Sequence, residues 1–306
     1  MPQLKLLEDF IALVRAGSFV RAAEQRHVTH PAFGRRIRAL ETWIGAPLVD
    51  RSTLPATLTP QGETVYKTAC QIVEQLNRVR YQARDAQCGG HGHLRIATGR
   101  SLARTLVADW IGRLHKGRKP VLKPGTQIDI TTGMMADMAK LMAQGKTDML
   151  CCYEHQALSL ELLSDQFAYM TLATDKLVPV CQARPDGTLH YALTDRPGTS
   201  LPLIAYTEGL AMARILGDRL QSYPYPLVTA LRCDSLDTAM GSVLKGLGIA
   251  WLPLSMVTGE CRRGTLAQLG SRSDEITFEV RLYRPRRQLS DLAEAVWSFT
   301  QQPRAR

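Results

Sequence analysis

The stretch HVTHPAFGRRIRAL, residues 27–40, sets Arg35, Arg36 and Arg38 on a frame of apolar residues and opens with His30 and Pro31. A guanidinium is a planar fork of donors that matches phosphate oxygens and the major-groove edge of guanine. An imidazole can donate or accept at a base edge. Residues 15–51 hold seven arginines against Glu24, Glu41 and Asp50, a net +4 carried wholly by arginine. That pattern suits phosphate contact and base reading, with a solvated helix face as the alternative for such a run. The formal charge of +10 over the whole chain also suits a polyanionic partner.

Other chemistries leave weaker traces. There is no G-x-S-x-G, P-loop, H-E-x-x-H or complete G-x-G-x-x-G; Gly246 and Gly248 in KGLGIAW lack the third glycine and precede a strand pattern instead of following one. Carboxylates and histidines are scattered, so neither catalysis nor a cofactor is expected. Seven cysteines (70, 88, 151, 152, 181, 233 and 261) show no paired C-x-x-C and read as the reduced thiols of a cytoplasmic protein. Cys151 and Cys152 are strand neighbours facing opposite ways, which disfavours a mutual bond. Cys88, His91 and His93 could ligate a metal, but lacking a fourth ligand beside two glycines they read as a hinge, and no metal site is expected. Met134, Met135, Met138, Met142 and Met149 put five of ten methionines within sixteen residues. Their oxidation would make apolar side chains polar and could switch packing, whereas Met138 and Met142 stand at core spacing with Leu141 and can equally be interior filler.

The elements that position these residues follow from periodicity. At 306 residues, two or three units are expected. No run of eighteen apolar residues appears, and MPQLKLLEDF lacks a signal-peptide core, so a cytoplasmic location is expected, away from membranes. Leu6, Phe10 and Val14 predict a helix over 4–16, ended by Gly17; Ser18 then caps a short second helix. Thr29 is the expected N-cap of a third helix over 29–42, its hydroxyl accepting from a free backbone N–H, with Pro31 in the first turn. Phe33, Ile37, Leu40 and Ile44 form its buried stripe. At about 100° per residue, Arg35 and Arg38 point away from that stripe and Arg36 flanks it. A short helix, a tight turn and this helix make a helix-turn-helix layout, and APLVDRSTLPATLTP reads as a small β-wing with Arg51 near its tip.

Residues 4–62 resemble the winged helix-turn-helix of the LysR-type transcriptional regulators. The matching positions are Phe10, Gly17-Ser18-Phe19, Ala22-Ala23, Pro31-Ala32-Phe33, Arg35 to Glu41, Gly45, Leu48, Arg51 and Leu58-Thr59-Pro60-Gln61-Gly62. The resemblance implies DNA contact through Ser18, Thr29, His30, Pro31, Arg35, Arg36, Arg38 and Arg51. Thr29-His30 stands where the family usually has Ser-Gln, Gly34 where it usually has Ser, and Val49 where Phe is common. The family's Gln and Ser commonly touch DNA, so operator preference does not carry over. A branch of the family that answers hypochlorite has a similar RRIRALExxIG segment and GIAWLP.

Thr59-Pro60 is a good helix start, and Val65, Ala69, Ile72, Leu76, Val79 and Ala83 then alternate spacings of four and three. That is a coiled-coil seam, expected to pair two chains over 59–87, as the family's linker helix does. The rest alternates strands (93–99, 127–133, 147–153, 177–183, 202–206, 227–235, 249–253 and 276–285) with helices (101–116, 134–145, 211–222, 236–248 and about 290–301), an α/β pattern with a parallel sheet. On GKTDMLCCY and KGLGIAWLP it resembles the family's effector domain. The expected fold is therefore an N-terminal all-α winged helix-turn-helix with a long linker helix, followed by an α/β periplasmic-binding-protein-like effector domain of two subdomains. The boundaries are 1–58, 59–88 and 89–306, with subdomain I at 93–172 and 272–306 and subdomain II at 173–271. Turns after strands place Ser101, Thr132, Tyr206 and Thr207 as candidate contacts to a small, anionic effector. The expected partners are double-stranded DNA carrying a dyad operator, a small-molecule effector, a second copy through the linker helix and, by analogy, a tetramer and RNA polymerase. A ligand-binding protein without a DNA role is the rival from another class, but it would need neither the seam nor the arginine-bearing head.

Overall fold

The computed structural model describes residues 4–51, 55–87, 92–116, 120–158, 166–184, 186, 188–192, 200–221 and 223–302. They form two compact units, Met1–Gly90 and His91–Arg306. In the first, α1 (Leu4–Ala16) buries Leu7, Phe10, Ile11 and Leu13. Gly17, at φ +61°, ends it by donating its N–H to the Leu13 carbonyl at 2.9 Å. α2 (Phe19–Gln25) lays Ala22 and Ala23 inward, and α3 (His30–Ile44) buries Phe33, Ile37 and Leu40. Each buried Leu, Ile or Phe among them contributes about 1.5–3 kcal/mol by burial. Ser18 and Thr29 do occupy the N-cap positions, but neither side chain makes the expected cap bond. At Thr29, Pro31 as the second helical residue leaves only the Ala32 N–H within reach of a cap side chain.

The wing is β1 (Val49–Asp50) antiparallel to β2 (Thr57–Leu58). Glu41 of α3 pins it, its Oε1 accepting from the N–H of Leu48 at 3.0 Å and of Val49 at 3.3 Å. Then α4 (Pro60–Gln87) begins under a working cap: the Gly62 N–H donates to Thr59 Oγ1 at 3.0 Å, and that hydroxyl donates to the Pro47 carbonyl at 2.7 Å. Gly62 is required by space, since a Cβ there would lie 2.0 Å from the Leu48 carbonyl oxygen. The expected seam divides into two. Ala69 is only 1% exposed and, with partly buried Val65, belongs to the core of its own head, because the first turns of α4 pack on α1. Ile72, Leu76 and Val79 are 38%, 48% and 55% exposed and form an uncovered apolar stripe. The Ala83 side chain lies outside the described residues.

The second unit is α/β. β3 (His93–Thr98) lies parallel between β4 (Gln127–Thr132) and β5 (Met149–Glu154). The helix after β3 was expected as one piece over 101–116. It comprises α5 (Arg100–Leu102), a π-helical turn at Ala103–Val107 and α6 (Ala108–Leu114). α7 (Met135–Ala143) links β4 to β5. The strand expected at 177–183 is the last part of β6 (Phe167–Gln182), sixteen residues long. β7 (Leu201–Tyr206) and β8 (Leu227–Cys233) are parallel, with α8 (Ala211–Gln221) between them and α9 (Leu236–Leu244) following. β9 (Ala250–Pro253) pairs with β6 and is bridged to β7 through Ile249 and Leu203. α10 (Leu254–Arg262) and β10 (Leu266–Gln268), neither expected, precede β11 (Ile276–Pro285) and α11 (Asp291–Gln301). β11 runs antiparallel to β6 from Phe167 to Leu177 and also pairs with β5. The paired β6 and β11 thus join the β4-β3-β5 half to the β7-β8-β9 half. Trp110 and Trp251 are the largest side chains fully buried in the resulting core.

Candidate functional site: a basic helix face and an α/β cleft

An open groove of about 520 Å³ lies on the head, lined by Phe19, by His30, Pro31, Gly34, Arg35 and Arg38 of α3, and by Arg51 and Ala56 of the wing. Arg35 and Arg38 are exposed and make no ion pair among the described residues. His30 meets Phe19 edge-on at 6.2 Å, and Phe19 in turn packs on Phe33 of the core. Arg51 is held in the wall: its guanidinium sits 5.5 Å from the centre of the Phe19 ring and its Nη2 lies 2.8 Å from Glu41 Oε2. Among the described residues, no carboxylate lines the groove. Three guanidiniums around an open trough suit an extended polyanion.

The structure moves Arg36 out of this set. Its Nη1 donates to Asp9 Oδ2 at 3.1 Å, while Arg26 donates through Nε to Asp9 Oδ1 at 2.6 Å and through Nη2 to Glu8 at 2.7 Å. The Asp9 side chain is fully buried, and a buried carboxylate needs cationic partners. Arg36 therefore ties α3 to α1 and does not line the groove. Ser18 and Thr29 flank the groove without lining it.

In the α/β unit a small cleft of about 50 Å³ lies where the turn after β3 and the starts of α7, α8 and α9 converge. It is lined by Gly99–Ser101, Gly133–Met135, Tyr153, Gly209–Met212 and Asp234–Leu236. Ser101 reaches it as expected, as the second residue of α5, since Gly99 takes the N-cap. Across the cleft stands Asp237 in the first turn of α9, where Ser235 accepts from the N–H of Asp237 at 3.2 Å. Arg104 donates to Asp237 Oδ1 at 2.6 Å, and Ser101 Oγ lies 3.4 Å from Asp237 Oδ2. The Met134 methyl presses on Gly209, 2.6 Å from where a Cβ would stand. The cleft is thus nearly shut, well below the several hundred Å³ of an ordinary metabolite pocket.

Three of the four expected effector contacts do not line it. Thr132 is exposed at the end of β4. Tyr206 is buried and donates its hydroxyl to the Trp251 carbonyl at 2.8 Å. Thr207 gives its N–H to Cys233. A buried phenol takes the nearest strand carbonyl, and burial pushes that phenol well above its ordinary range. The lining residues that sequence reasoning missed, Gly209–Met212 and Asp234–Leu236, follow strands of the second half, a placement only the sheet order reveals. Asp237, opposite them, was missed for the same reason.

Of the methionines, Met138 and Met142 are in the core, and Met134 and Met135 line the cleft. Cys151 and Cys152 belong to opposite core clusters, and burial pushes the Cys151 thiol up to about 12. Cys88 and His91 lie outside the described residues. His93 Nε2 is 2.8 Å from Asp129 Oδ2. No helix among the described residues is long and apolar enough to cross a membrane.

Residues 4–63 match the model of the bacterial regulatory helix-turn-helix proteins of the lysR family, and residues 88–303 match the LysR substrate binding domain. The HTH-type transcriptional regulator YjiE of Escherichia coli is 27% identical over 297 residues, covering 96% of this chain and 93% of that protein. Vibrio fischeri DarR, solved in complex with DNA, is similar at 28% identity and a TM-score of 0.60, with 97% of this chain and 98% of that one covered. Full-length HypT of Salmonella typhimurium, a hypochlorite-specific LysR-type regulator, is similar at 26% identity and a TM-score of 0.58, covering 97% and 96%. An arginine-lined helix-turn-helix head, an α/β unit closed around a cleft and two family models that span most of the chain lead to one conclusion: the protein belongs to the LysR family, the DNA-binding transcriptional regulators with an effector-binding domain.

Proposed function

We propose that two copies of the chain pair along α4 and read a dyad operator with their α3 helices. His30, Pro31, Arg35, Arg38 and Arg51 meet the DNA, with Ser18 and Thr29 at the margin. The observation that carries this reading is the groove itself, which gathers His30, Pro31, Arg35, Arg38 and Arg51 on one open face with no carboxylate among the described lining residues. Uncovered Ile72, Leu76 and Val79 support pairing through the distal part of α4. We assign residues 1–58 to the head, 59–88 to the linker and 89–306 to the effector domain, whose two subdomains exchange at β6 and β11. A small anionic metabolite enters between them by displacing Asp237 from Arg104, and its binding changes how the dimer engages the operator. A tetramer, contact with RNA polymerase and a cytoplasmic location complete the reading.

The test is salt-titrated binding to an operator selected from random duplexes. Arg35→Ala and Arg38→Ala are each expected to weaken binding, and a loss of phosphate contact lowers the salt slope by about one. Unchanged affinity in both variants would remove α3 from the contact surface.

A further inference from the structure

Gly34 occupies the middle of the groove-facing side of α3, one turn after His30 and one turn before Arg38. Glycine is the poorest helix residue apart from proline, so an internal glycine needs a reason. The usual reasons are absent here. Its φ is not among the left-handed ones, and a Cβ built on it would meet nothing within 4 Å among the described residues. Neither backbone conformation nor packing of the head requires it, in contrast to Gly62. What the missing side chain does leave is a gap in the wall of the groove, between an imidazole and a guanidinium.

We propose that Gly34 is a specificity-determining residue: the gap lets the C5-methyl of a thymine approach the bare backbone of α3, and so selects a T·A pair at one position in each half-site. This inference rests on α3 being the helix that enters the major groove. The chemistry follows from what glycine offers, a Cα methylene and no side-chain donor or acceptor. Of the groups exposed in the major groove, the thymine methyl is the one that needs only apolar contact. Any side chain at position 34 would hold that base edge away and loosen the fit of His30 and Arg38 on either side.

The experiment uses the full chain, Gly34→Ala and Gly34→Ser, each put through selection from a random-sequence duplex pool and thermal melting. Both variants are expected to fold, and Gly34→Ala is expected to melt a few degrees higher, because helix propensity improves where space is free. Both are expected to bind the operator selected by the native protein at least tenfold more weakly, and to lose its thymine preference at one position. In that native operator, replacing the thymine by uracil should cost the native protein about fourfold in affinity, the value of one buried methyl, and cost Gly34→Ala nothing. If Gly34→Ala melts higher yet selects the same sequence with the same affinity, the proposal is overturned. A lower melting temperature would overturn it too, since the glycine would then serve the fold. Arg35→Ala and Arg38→Ala separate the two levels: if neither affects binding, the placement of α3 fails; if both weaken it while the Gly34 variants do not, only the role of Gly34 fails.

Discussion

Three arginines fall within four positions of α3, and burial sorts them into two kinds. Arg35 and Arg38 are exposed, whereas Arg36 answers the buried carboxylate of Asp9. The helical angle alone separated the first two from the apolar stripe. It set Arg36 at the flank but could not name its partner, which lies twenty-seven residues away on α1, where an acid beside Phe10 looks like an ordinary solvated position. Arg36→Ala leaves Asp9 buried with Arg26 alone, and should destabilise the protein by about 1.5–3 kcal/mol, the range for a hydrogen bond to a charged group. Urea melts would measure that loss. The slope of operator affinity against salt, measured where the variant is fully folded, should stay at the native value. A slope lowered by one with native stability would return Arg36 to the DNA surface.

At the scale of elements, α4 shows how periodicity can be right about a helix and incomplete about its neighbours. The spacing from Val65 to Val79 is regular, yet its start is buried in the head and its continuation is bare. A seam pattern reports that a face must be covered and says nothing about what covers each turn. Leu76→Glu places a charge in the bare part and should convert a dimer to monomers in sedimentation at micromolar concentration, while the head stays folded. A dimer of native strength would mean that pairing lies elsewhere. β6 was legible only in its last third because its earlier residues are half-exposed and include Asp175 and Lys176, so the apolar run that marks a buried strand starts at Leu177. Its partner β11 comes from about a hundred residues on, and such non-local pairing leaves no local mark. The π-helical turn after β3 had no glycine or proline to announce it.

For the whole molecule, the α/β architecture was readable from alternating strands and helices, but the cleft was readable at Ser101 alone among the four expected contacts. Four polypeptide turns must converge to make it, and only the sheet order says which ones do. The Arg104–Asp237 pair spans that cleft with both side chains substantially exposed, so it adds little to stability. On the proposed reading its consequence is for ligand binding, with Asp237 holding Arg104 away from an incoming carboxylate. Asp237→Asn should change the melting temperature little and raise affinity for small carboxylates several-fold in calorimetric titration. Equal affinities in native and variant protein would sink the idea that Asp237 competes with the ligand. At the other end of the chain, Gly62 lies so close to the Leu48 carbonyl that the wing and the root of α4 share one wall. On the proposed pairing, a twist applied along α4 is expected to pass to the wing and, through the bonds of Glu41, to the groove-facing helix, so that each copy would meet DNA as a lever with α4 for its handle.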